Sequence, residues 1–151
     1  MNNLPITLRP AQLSDYGFIL KSIGTQTHKL YPQNFVPNQI HFPYMRRITD
    51  RFIADYPCII AHIDGYSDDL CGFVFIKNYT KTSLILPYAF VKSIYRRQGI
   101  FKHILNSFDP MFKNKSIICP IFFHLFPELE QAYHLIYDPT ILKDLEIRTY
   151  V

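Results

Sequence analysis

The sequence is poor in the residues that characterise metal-binding, redox or secreted proteins. Its three cysteines, Cys58, Cys71 and Cys119, lie singly in apolar segments and form no C-x-x-C pair. We therefore expect reduced core thiols and no metal site. The chain reaches Arg9 without an apolar run, so no signal peptide is expected. These absences predict a cytoplasmic protein.

No segment stays apolar for long enough to span a membrane. The most apolar stretch, residues 117–126, is interrupted by Pro120 and His124 and is shorter than the roughly 20 residues that a membrane helix needs. The chain is nevertheless 48% hydrophobic and 16% aromatic, which excludes a disordered protein. Because 151 residues fit one domain of ordinary size, we expect a single soluble domain over residues 1–151 and no membrane partner.

Acidic residues are missing from the middle of the chain. Residues 70–108 contain no Asp or Glu, although the whole chain carries a net charge of only +4. A local positive field of this kind favours an anionic ligand, with a solvated basic surface as the alternative. The basic residues in this window are Lys77, Lys81, Lys92, Arg96, Arg97 and Lys102.

Hydrophobic periodicity and turn residues predict an alternating α/β order. Pro87 lies inside one apolar strand and lacks the N–H that a central ladder requires, so we expect a β-bulge there rather than an edge strand. The predicted strands are residues 6–9, 58–63, 70–78, 83–91, 116–123 and 145–151. The predicted helices are residues 13–24, 44–56, 100–108 and 128–137, with a long loop or broken helix over residues 25–43.

The run from Val91 to Phe101 joins a predicted strand to a predicted helix. Free N–H groups and the helix dipole at such a helix start bind phosphate, and Gly99 lets a ligand approach the backbone closely. The run resembles the acyl-CoA signature V-x-x-x-x-[QR]-x-x-G-x-[GA] of the GCN5-related N-acetyltransferases, with Val91, Arg96 and Gly99 at the matching positions and Phe101 where the family has Gly or Ala. The opening run, residues 6–15, and the element order are also similar to that family.

This resemblance implies an α/β (α+β) fold with a mixed, mainly antiparallel sheet flanked by helices. The strand ending at Val91 would splay from the next strand and form a cleft for the pantetheine arm of acetyl-CoA. For Phe101, spacing with Leu105 and Phe108 predicts a ring turned into the core. The residues implied in cofactor binding are Phe90, Val91, Arg96, Arg97, Gln98, Gly99, Ile100 and Phe101.

The resemblance also implies transfer of an acetyl group from acetyl-CoA to an amine by direct attack, with a base and a proton donor. Tyr137 and Tyr133 are the candidate donors because the predicted helix over residues 128–137 resembles the family's tyrosine-bearing helix; core packing is the alternative for both. The candidate bases are His41, Tyr88 and His124.

Several alternatives stay open at the level of sequence. If the protein is an enzyme, its acceptor is a small-molecule amine or a protein amine. A second alternative is a catalytically inactive binding or structural module. A CoA-dependent enzyme acting on nucleic acid is a third reading, from the basic window and its interleaved Tyr and Phe residues. Because only fourteen residues follow Tyr137, the sheet is short at its end and a homodimer is plausible.

Overall fold

The computed structural model describes residues 4–30, 38–119, 133–138 and 140. Within these ranges, the protein consists of six strands and three α-helices, joined by short 3-10 turns. In chain order they are β1 (Ile6–Pro10), α1 (Tyr16–Leu30), α2 (Asn38–Asp55), β2 (Cys58–Ile63), β3 (Tyr66–Thr80), β4 (Ser83–Val91), α3 (Ile100–Phe108), β5 (Ser116–Cys119) and β6 (Leu135–Tyr137).

The six strands form one sheet in the order β1-β2-β3-β4-β5-β6. Pairing is antiparallel from β1 to β4 and parallel from β4 through β5 to β6. A two-residue turn at Asp64-Gly65 joins β2 to β3, and Gly65 adopts φ 78°, a left-handed conformation that glycine reaches without steric cost. This mixed, mainly antiparallel sheet with flanking helices confirms the predicted fold class.

Side chains that alternate along the central strands build two cores, one on each face of the sheet. On the first face, Phe73, Phe75 and Tyr88 pack against α1 and α2, where Phe52 is fully buried. On the second face, α3 covers the complementary set, which includes the fully buried Val74. Because β3 and β4 are buried on both faces, they read as continuous apolar runs in the sequence.

Two predictions about the helices before β2 are wrong. α1 continues through Gly24, the predicted C-cap, to Leu30, and α2 begins at Asn38 and includes Pro43. Burial explains both outcomes, because Gly24 lies in a buried stretch of α1 and Tyr44 packs into the first core directly after Pro43. Tertiary packing therefore overrides the local helix-breaking signals.

The predicted helix over residues 128–137 is wrong at its C-terminal end. Residues 135–137 form β6, which pairs with Ile117 to Cys119 of β5, because the apolar run Leu135-Ile136-Tyr137 finds a strand partner that is remote in sequence. The predicted strand over residues 116–123 is confirmed as far as Cys119. The rest of that strand, the start of the predicted helix and the predicted strand over residues 145–151 lie outside the described residues. No helix in the described ranges combines the length and apolarity needed to cross a membrane.

A buried ion pair fixes the connection from β1 to α1. Two guanidinium nitrogens of Arg9 donate to the two carboxylate oxygens of Asp15 at 2.6 and 2.9 Å, and the Gln12 N–H donates to the same carboxylate at 2.7 Å. Asp15 is only 3% exposed. Its hydrogen bonds from Arg9 lower the pKa of the Asp15 carboxyl below its usual range.

We expect Asp15→Asn to lower the free energy of unfolding by about 3 kcal/mol at neutral pH, because it leaves a nearly buried guanidinium without its counter-charge. Since the native pKa of Asp15 is lowered, its stabilisation is present above the unfolded pKa of about 4 and is lost as pH falls through the native pKa. Urea unfolding at pH 7 and pH 3 should therefore show the difference between wild type and variant shrinking at the lower pH.

Asp55→Asn is the matched control, because Asp55 forms an exposed pair with Arg51 at 3.6 Å. Such pairs contribute about 1 kcal/mol or less. Equal losses in the two variants would contradict the assignment of Asp15 as a buried structural carboxylate.

Candidate functional site

A β-bulge at Pro87 divides β4 into two halves. Phe75 pairs with Tyr88 and Lys77 pairs with Ile85, so two steps along β3 correspond to three along β4. The extra residue lies at Leu86-Pro87, which confirms the predicted bulge. Pairing of β4 with β5 covers Ser83 to Ile85, and no described residue pairs with β4 on that side beyond the bulge. We call this side of residues 87–91 the open edge of β4.

The direction of the peptide groups identifies which residues face the open edge. The Lys92 N–H donates to Cys71 O at 2.8 Å, so the alternating residues Phe90 and Tyr88 also direct their peptide groups towards β3. The peptide groups of Ala89 and Val91 therefore face the open edge. The sequence prediction named Phe90 and Val91, and it missed Ala89 because the register depends on the position of the bulge. Phe90 contributes its ring, which contacts Phe18 of α1 with centroids 6.0 Å apart.

The segment between β4 and α3, residues 92–99, forms a turn that ends in a glycine cap. We call it the β4–α3 turn. Arg97 adopts φ 66° and Gly99 adopts φ 78°, both left-handed, and a Cβ built on Gly99 has no neighbour within 4 Å. The His103 N–H donates to Gly99 O at 2.9 Å and makes the first hydrogen bond within α3. The N–H groups of residues 100–102 therefore point out of the helix start without an acceptor in the helix. The helix dipole adds partial positive charge there, which suits an anion.

Phe101 does not project over the turn. Its ring is partly buried against the second core and contacts Tyr133 edge to face, with centroids 6.0 Å apart. This confirms the prediction that the ring turns into the core. The Phe101 side chain thus leaves the backbone at the start of α3 accessible, although the resembled family has Gly or Ala at this position.

The Arg96 side chain ties the turn to the end of β4. Its Nε donates to Val91 O at 2.9 Å. We expect Arg96→Ala to lower the free energy of unfolding by roughly 1 kcal/mol, because it removes this hydrogen bond and leaves the strand end less constrained. Lys81→Ala is the control, since it removes the same charge from an exposed hairpin. Chemical denaturation that gave equal values for the two variants would contradict a structural role for Arg96.

The six basic residues of the acid-free window do not form one cluster. Lys92, Arg96, Arg97 and Lys102 surround the β4–α3 turn, and Lys92 Nζ lies 5.3 Å from the centroid of the Phe18 ring. Lys81 lies in the hairpin just before Ser83, the other end of β4, and Ser83 is eight residue steps or about 27 Å along the strand from Val91. Lys77 stacks on Tyr56 near that same end. Only four of the six basic residues therefore contribute positive charge at the β4–α3 turn.

Tyr88 lies on β4 just beyond the bulge, but it belongs to the first core. Its ring stacks on Phe73 with centroids 6.0 Å apart and an interplanar angle of 19°, and it also stacks on Phe52. Burial raises the pKa of the Tyr88 hydroxyl well above its usual value. The group is thus protonated at neutral pH, which is unsuited to the base role predicted from sequence.

The candidate donors Tyr133 and Tyr137 lie on the other side of the sheet from Tyr88. Tyr133 packs against Phe101 and Phe112 in the second core, and burial raises its pKa. Tyr137 pairs with Cys119, a residue of the second core, which places it on the α3 face of the sheet, where it is 55% exposed. Neither tyrosine lies on a helix, which corrects the predicted placement. The sheet also separates both of them from Tyr88.

The two histidine candidates are placed only in part. His41 lies near the start of α2, and its side chain is outside the description; His124 lies outside the described residues altogether. Within the described ranges, no three His, Cys, Asp or Glu side chains come together as a potential metal site. Burial raises the pKa of the Cys58 and Cys119 thiols to about 12, which fits unreactive core thiols.

Comparison with known proteins identifies the fold. No protein-family model and no curated protein matches this chain. Among solved structures, it is similar to a possible acetyltransferase from Clostridium difficile 630, with a TM-score of 0.60 and 14% identity over 89% of this chain and 94% of the other. YycN from Bacillus subtilis gives a TM-score of 0.61 and 13% identity, covering 88% and 94% of the two chains.

A third similar structure is the ribosomal-protein-alanine N-acetyltransferase from Brucella melitensis biovar Abortus 2308. Its TM-score is 0.57, with 16% identity over 85% of this chain and 91% of the other. At these identities, the likeness concerns the fold alone. The sheet order, the bulged β4 and the glycine-capped α3 together with these comparisons show that the chain has the fold of the GCN5-related N-acetyltransferases.

Proposed function

We propose that this protein is an N-acetyltransferase that moves an acetyl group from acetyl-CoA to an amine by direct attack. The observation that carries the proposal is the open edge of β4 leading directly into the glycine-capped start of α3. A strand edge followed by a cluster of helix N–H groups matches the amide-bearing arm and the diphosphate of one extended ligand. The likeness to acetyltransferase structures supports the same reading.

The chain's own residues would bind this ligand mainly through the backbone. The N–H groups of Ala89 and Val91 are proposed to pair with the pantetheine amides, as an added strand pairs with a sheet edge. The N–H groups at the start of α3 would hold the diphosphate, with Arg97 and Lys102 adding charge. Arg96 holds the Val91 carbonyl and would act by positioning the strand end.

Transfer also requires a neutral amine and protonation of the leaving sulfur. Acetyl-CoA supplies the activated thioester. His41 and His124 remain the predicted bases, since Tyr88 is buried and protonated, and Tyr133 and Tyr137 remain predicted donors. The acceptor is proposed to be a small-molecule or protein amine, and the name of the Brucella neighbour, a ribosomal-protein-alanine N-acetyltransferase, supports a protein amine.

Acetyl-CoA is expected to stabilise the protein, because a ligand specific to the native state raises the free energy of unfolding by mass action. At about 100 times the dissociation constant, the gain is roughly 2.7 kcal/mol. Thermal unfolding with acetyl-CoA measures it, and acetyl-pantetheine, which lacks the diphosphate, is the control that should give a smaller shift.

A screen of amines by mass spectrometry then tests transfer itself. Acetylated product confirms the enzyme, whereas a thermal shift without product from any amine would favour the alternative of a non-catalytic acyl-CoA-binding module. No shift at millimolar acetyl-CoA would overturn the proposed function. A nucleic-acid substrate is less well supported, because Lys77 and Lys81 lie at the far end of β4 from the turn.

A further inference from the structure

The flank of α1 that faces away from α2 lies beside the open edge of β4. Tyr16 marks the opposite flank, because its hydroxyl donates to Asp50 of α2 at 2.6 Å. With 3.6 residues per turn, Phe18 and Ser22 lie about 160° and 120° from Tyr16 round the helix axis. The Phe18 ring contacts the Phe90 ring of β4, with centroids 6.0 Å apart. This flank of α1 therefore lies over the first face of the sheet, next to the open edge.

Lys92 reaches the same place from the end of β4. Val91 belongs to the second core, so the next side chain points to the first face, and Lys92 Nζ lies 5.3 Å from the centroid of the Phe18 ring. Lys92 is half-buried, and within the described ranges it forms no ion pair with a carboxylate. Its ammonium thus lies on the α1 side of the sheet, whereas α3 covers the other side. A half-buried cation without a counter-ion favours an anionic ligand beside it.

Ser22 is a second polar group on this flank that lacks a partner. The residue is only 7% exposed, and its hydroxyl makes no hydrogen bond with any described residue. It follows Phe18 by about one helical turn on the same side of α1. Buried hydroxyls in folded proteins are normally hydrogen-bonded, so a ligand that lies along this flank would supply the missing partner.

The rings of Phe18 and Phe90 form an apolar floor between these polar groups. Both rings are half-buried, and the ring of Phe73 lies beneath them, with its centroid 5.8 Å from each. We call Phe18, Ser22, Phe90 and Lys92 the α1 shelf. An apolar floor with a few polar groups is the usual composition of a small-molecule site.

The open edge sets the order of the groups along the shelf. The proposed diphosphate position is the β4–α3 turn, so the pantetheine arm would carry the thioester to the Ala89 end of the open edge. Lys92 is three residue steps, or about 10 Å, along the strand from Ala89, and the Phe90 ring lies between them. An acceptor that extends along the shelf would meet the thioester at one end and an ammonium at the other. This order predicts an amine, an apolar body and then a negative group.

We propose that the acceptor is an amine that carries a carboxylate at the far end of an apolar body, and that the α1 shelf selects it. The proposal rests on the proposed function and deepens it, because it names the class of acceptor. Lys92 would bind the carboxylate, the Phe18 and Phe90 rings would cover the apolar body, and the Ser22 hydroxyl would hydrogen-bond to the acceptor. In the transfer, the amine nitrogen bonds to the acetyl carbon, the carbon–sulfur bond breaks, and the proton lost by the amine ends on the CoA thiol.

Acetylation rates at saturating acetyl-CoA test the selection. Aminohexanoate and aminooctanoate are compared with hexylamine and octylamine, in which a methyl group replaces the carboxylate. A tripeptide with a free C-terminus is compared with its C-terminal amide, which distinguishes a peptide from a free amino acid as the source of the carboxylate. In the wild type, kcat/KM should be roughly tenfold higher for the preferred carboxylate than for its neutral counterpart. Lys92→Gln should lose most of this preference, Lys92→Arg should keep it, and Ser22→Ala should lower kcat/KM for the preferred carboxylate severalfold.

Lys102→Gln and Lys81→Gln are the matched controls, since each removes the same charge from an exposed position. Lys102→Gln changes the α3 side of the turn and should weaken acetyl-CoA binding while it keeps the preference for the carboxylate. Lys81→Gln changes the hairpin at the other end of β4 and should alter neither property. Equal losses of preference in Lys92→Gln and Lys102→Gln would mean that net charge alone acts, and the α1 shelf would fail. Melting temperatures report on the folding of each variant.

Two readouts distinguish the α1 shelf from the proposed function. A wild type that acetylates each amine as well as its carboxylate counterpart would overturn the shelf and leave the enzyme standing. If no amine is acetylated, the proposed function fails, and the shelf is tested by calorimetric titration of the full chain with N-acetylaminohexanoate and N-hexylacetamide, which needs no turnover. Tighter binding of the acid that depends on Lys92 would support the shelf, and equal binding of the two compounds would overturn it.

Discussion

Replacement of Gly99 by valine is expected to weaken acetyl-CoA binding roughly 100-fold or more. Apart from the adjoining residues of the chain, no protein atom lies within 4 Å of a Cβ at this position, so the added side chain would occupy open space beside the proposed ligand. It would stand beside the N–H groups at the start of α3. The left-handed backbone, φ 78°, also costs a non-glycine residue about 1–2 kcal/mol of folding stability.

Gly65→Val separates these two effects. Gly65 has the same φ of 78° and likewise no neighbour within 4 Å of a built Cβ, but it lies in the β2–β3 hairpin. Both variants should therefore lose similar stability by urea unfolding, and only Gly99→Val should lose acetyl-CoA affinity by calorimetry. Wild-type affinity in Gly99→Val would show that the glycine cap is not the binding position.

Gly72→Ala is expected to cost about 3 kcal/mol of folding stability, at the upper end for overpacking. A Cβ on Gly72 would lie 2.3 Å from Phe90 O and 3.0 Å from the Val91 Cα, so the backbones of β3 and β4 would have to separate. The separation would occur at the end of β4 that carries the open edge. Weaker acetyl-CoA binding should therefore accompany the loss of stability.

Gly17→Ala is the control for this substitution. Gly17 lies exposed in α1 with nothing within 4 Å of a built Cβ, and alanine is favoured over glycine in a helix by up to about 1 kcal/mol. Denaturation curves should thus move in opposite directions for the two variants. A Gly72→Ala protein as stable as the wild type would contradict the close packing of β3 on β4.

The central strands and the turn were predictable because their signals are local. Apolar runs bounded by turn residues identified β2, β3 and β4, and Asp64-Gly65 marked a hairpin within the predicted turn-rich segment. Pro87 predicted a bulge in β4 because proline has no N–H to donate to a continuous ladder of hydrogen bonds. Gly99 predicted the cap because a helix start close to a ligand favours glycine.

Other features depend on contacts that no local pattern encodes. α1 passes Gly24 and α2 includes Pro43 because neighbouring residues are buried against the sheet. β6 exists as a strand because Ile117 to Cys119 lie beside it, and those residues are far away in the sequence. A cleft beside α3 is lined by residues 4–6, 64, 97–100, 102, 103, 106 and 113, which only the fold brings together.

The positions of the candidate catalytic residues were the hardest feature to predict from the sequence. Tyr88 and Tyr137 fall on opposite faces of the sheet, and that outcome depends on the register of β4 with β3 and of β6 with β5. A change of one residue in either register would move a side chain to the other face. Spacing in a single sequence does not determine this choice.

The bulge at Pro87 has a consequence for how this protein can change over evolutionary time. The first half of β4 pairs with β5, while the second half presents backbone N–H and C=O groups, and every residue type except proline carries both. An edge of this kind places almost no demand on the identity of the side chains at residues 88–91, provided that they pack. A strand edge of this shape is therefore compatible with very different sequences, as the 13–16% identity between this chain and structures of the same fold illustrates.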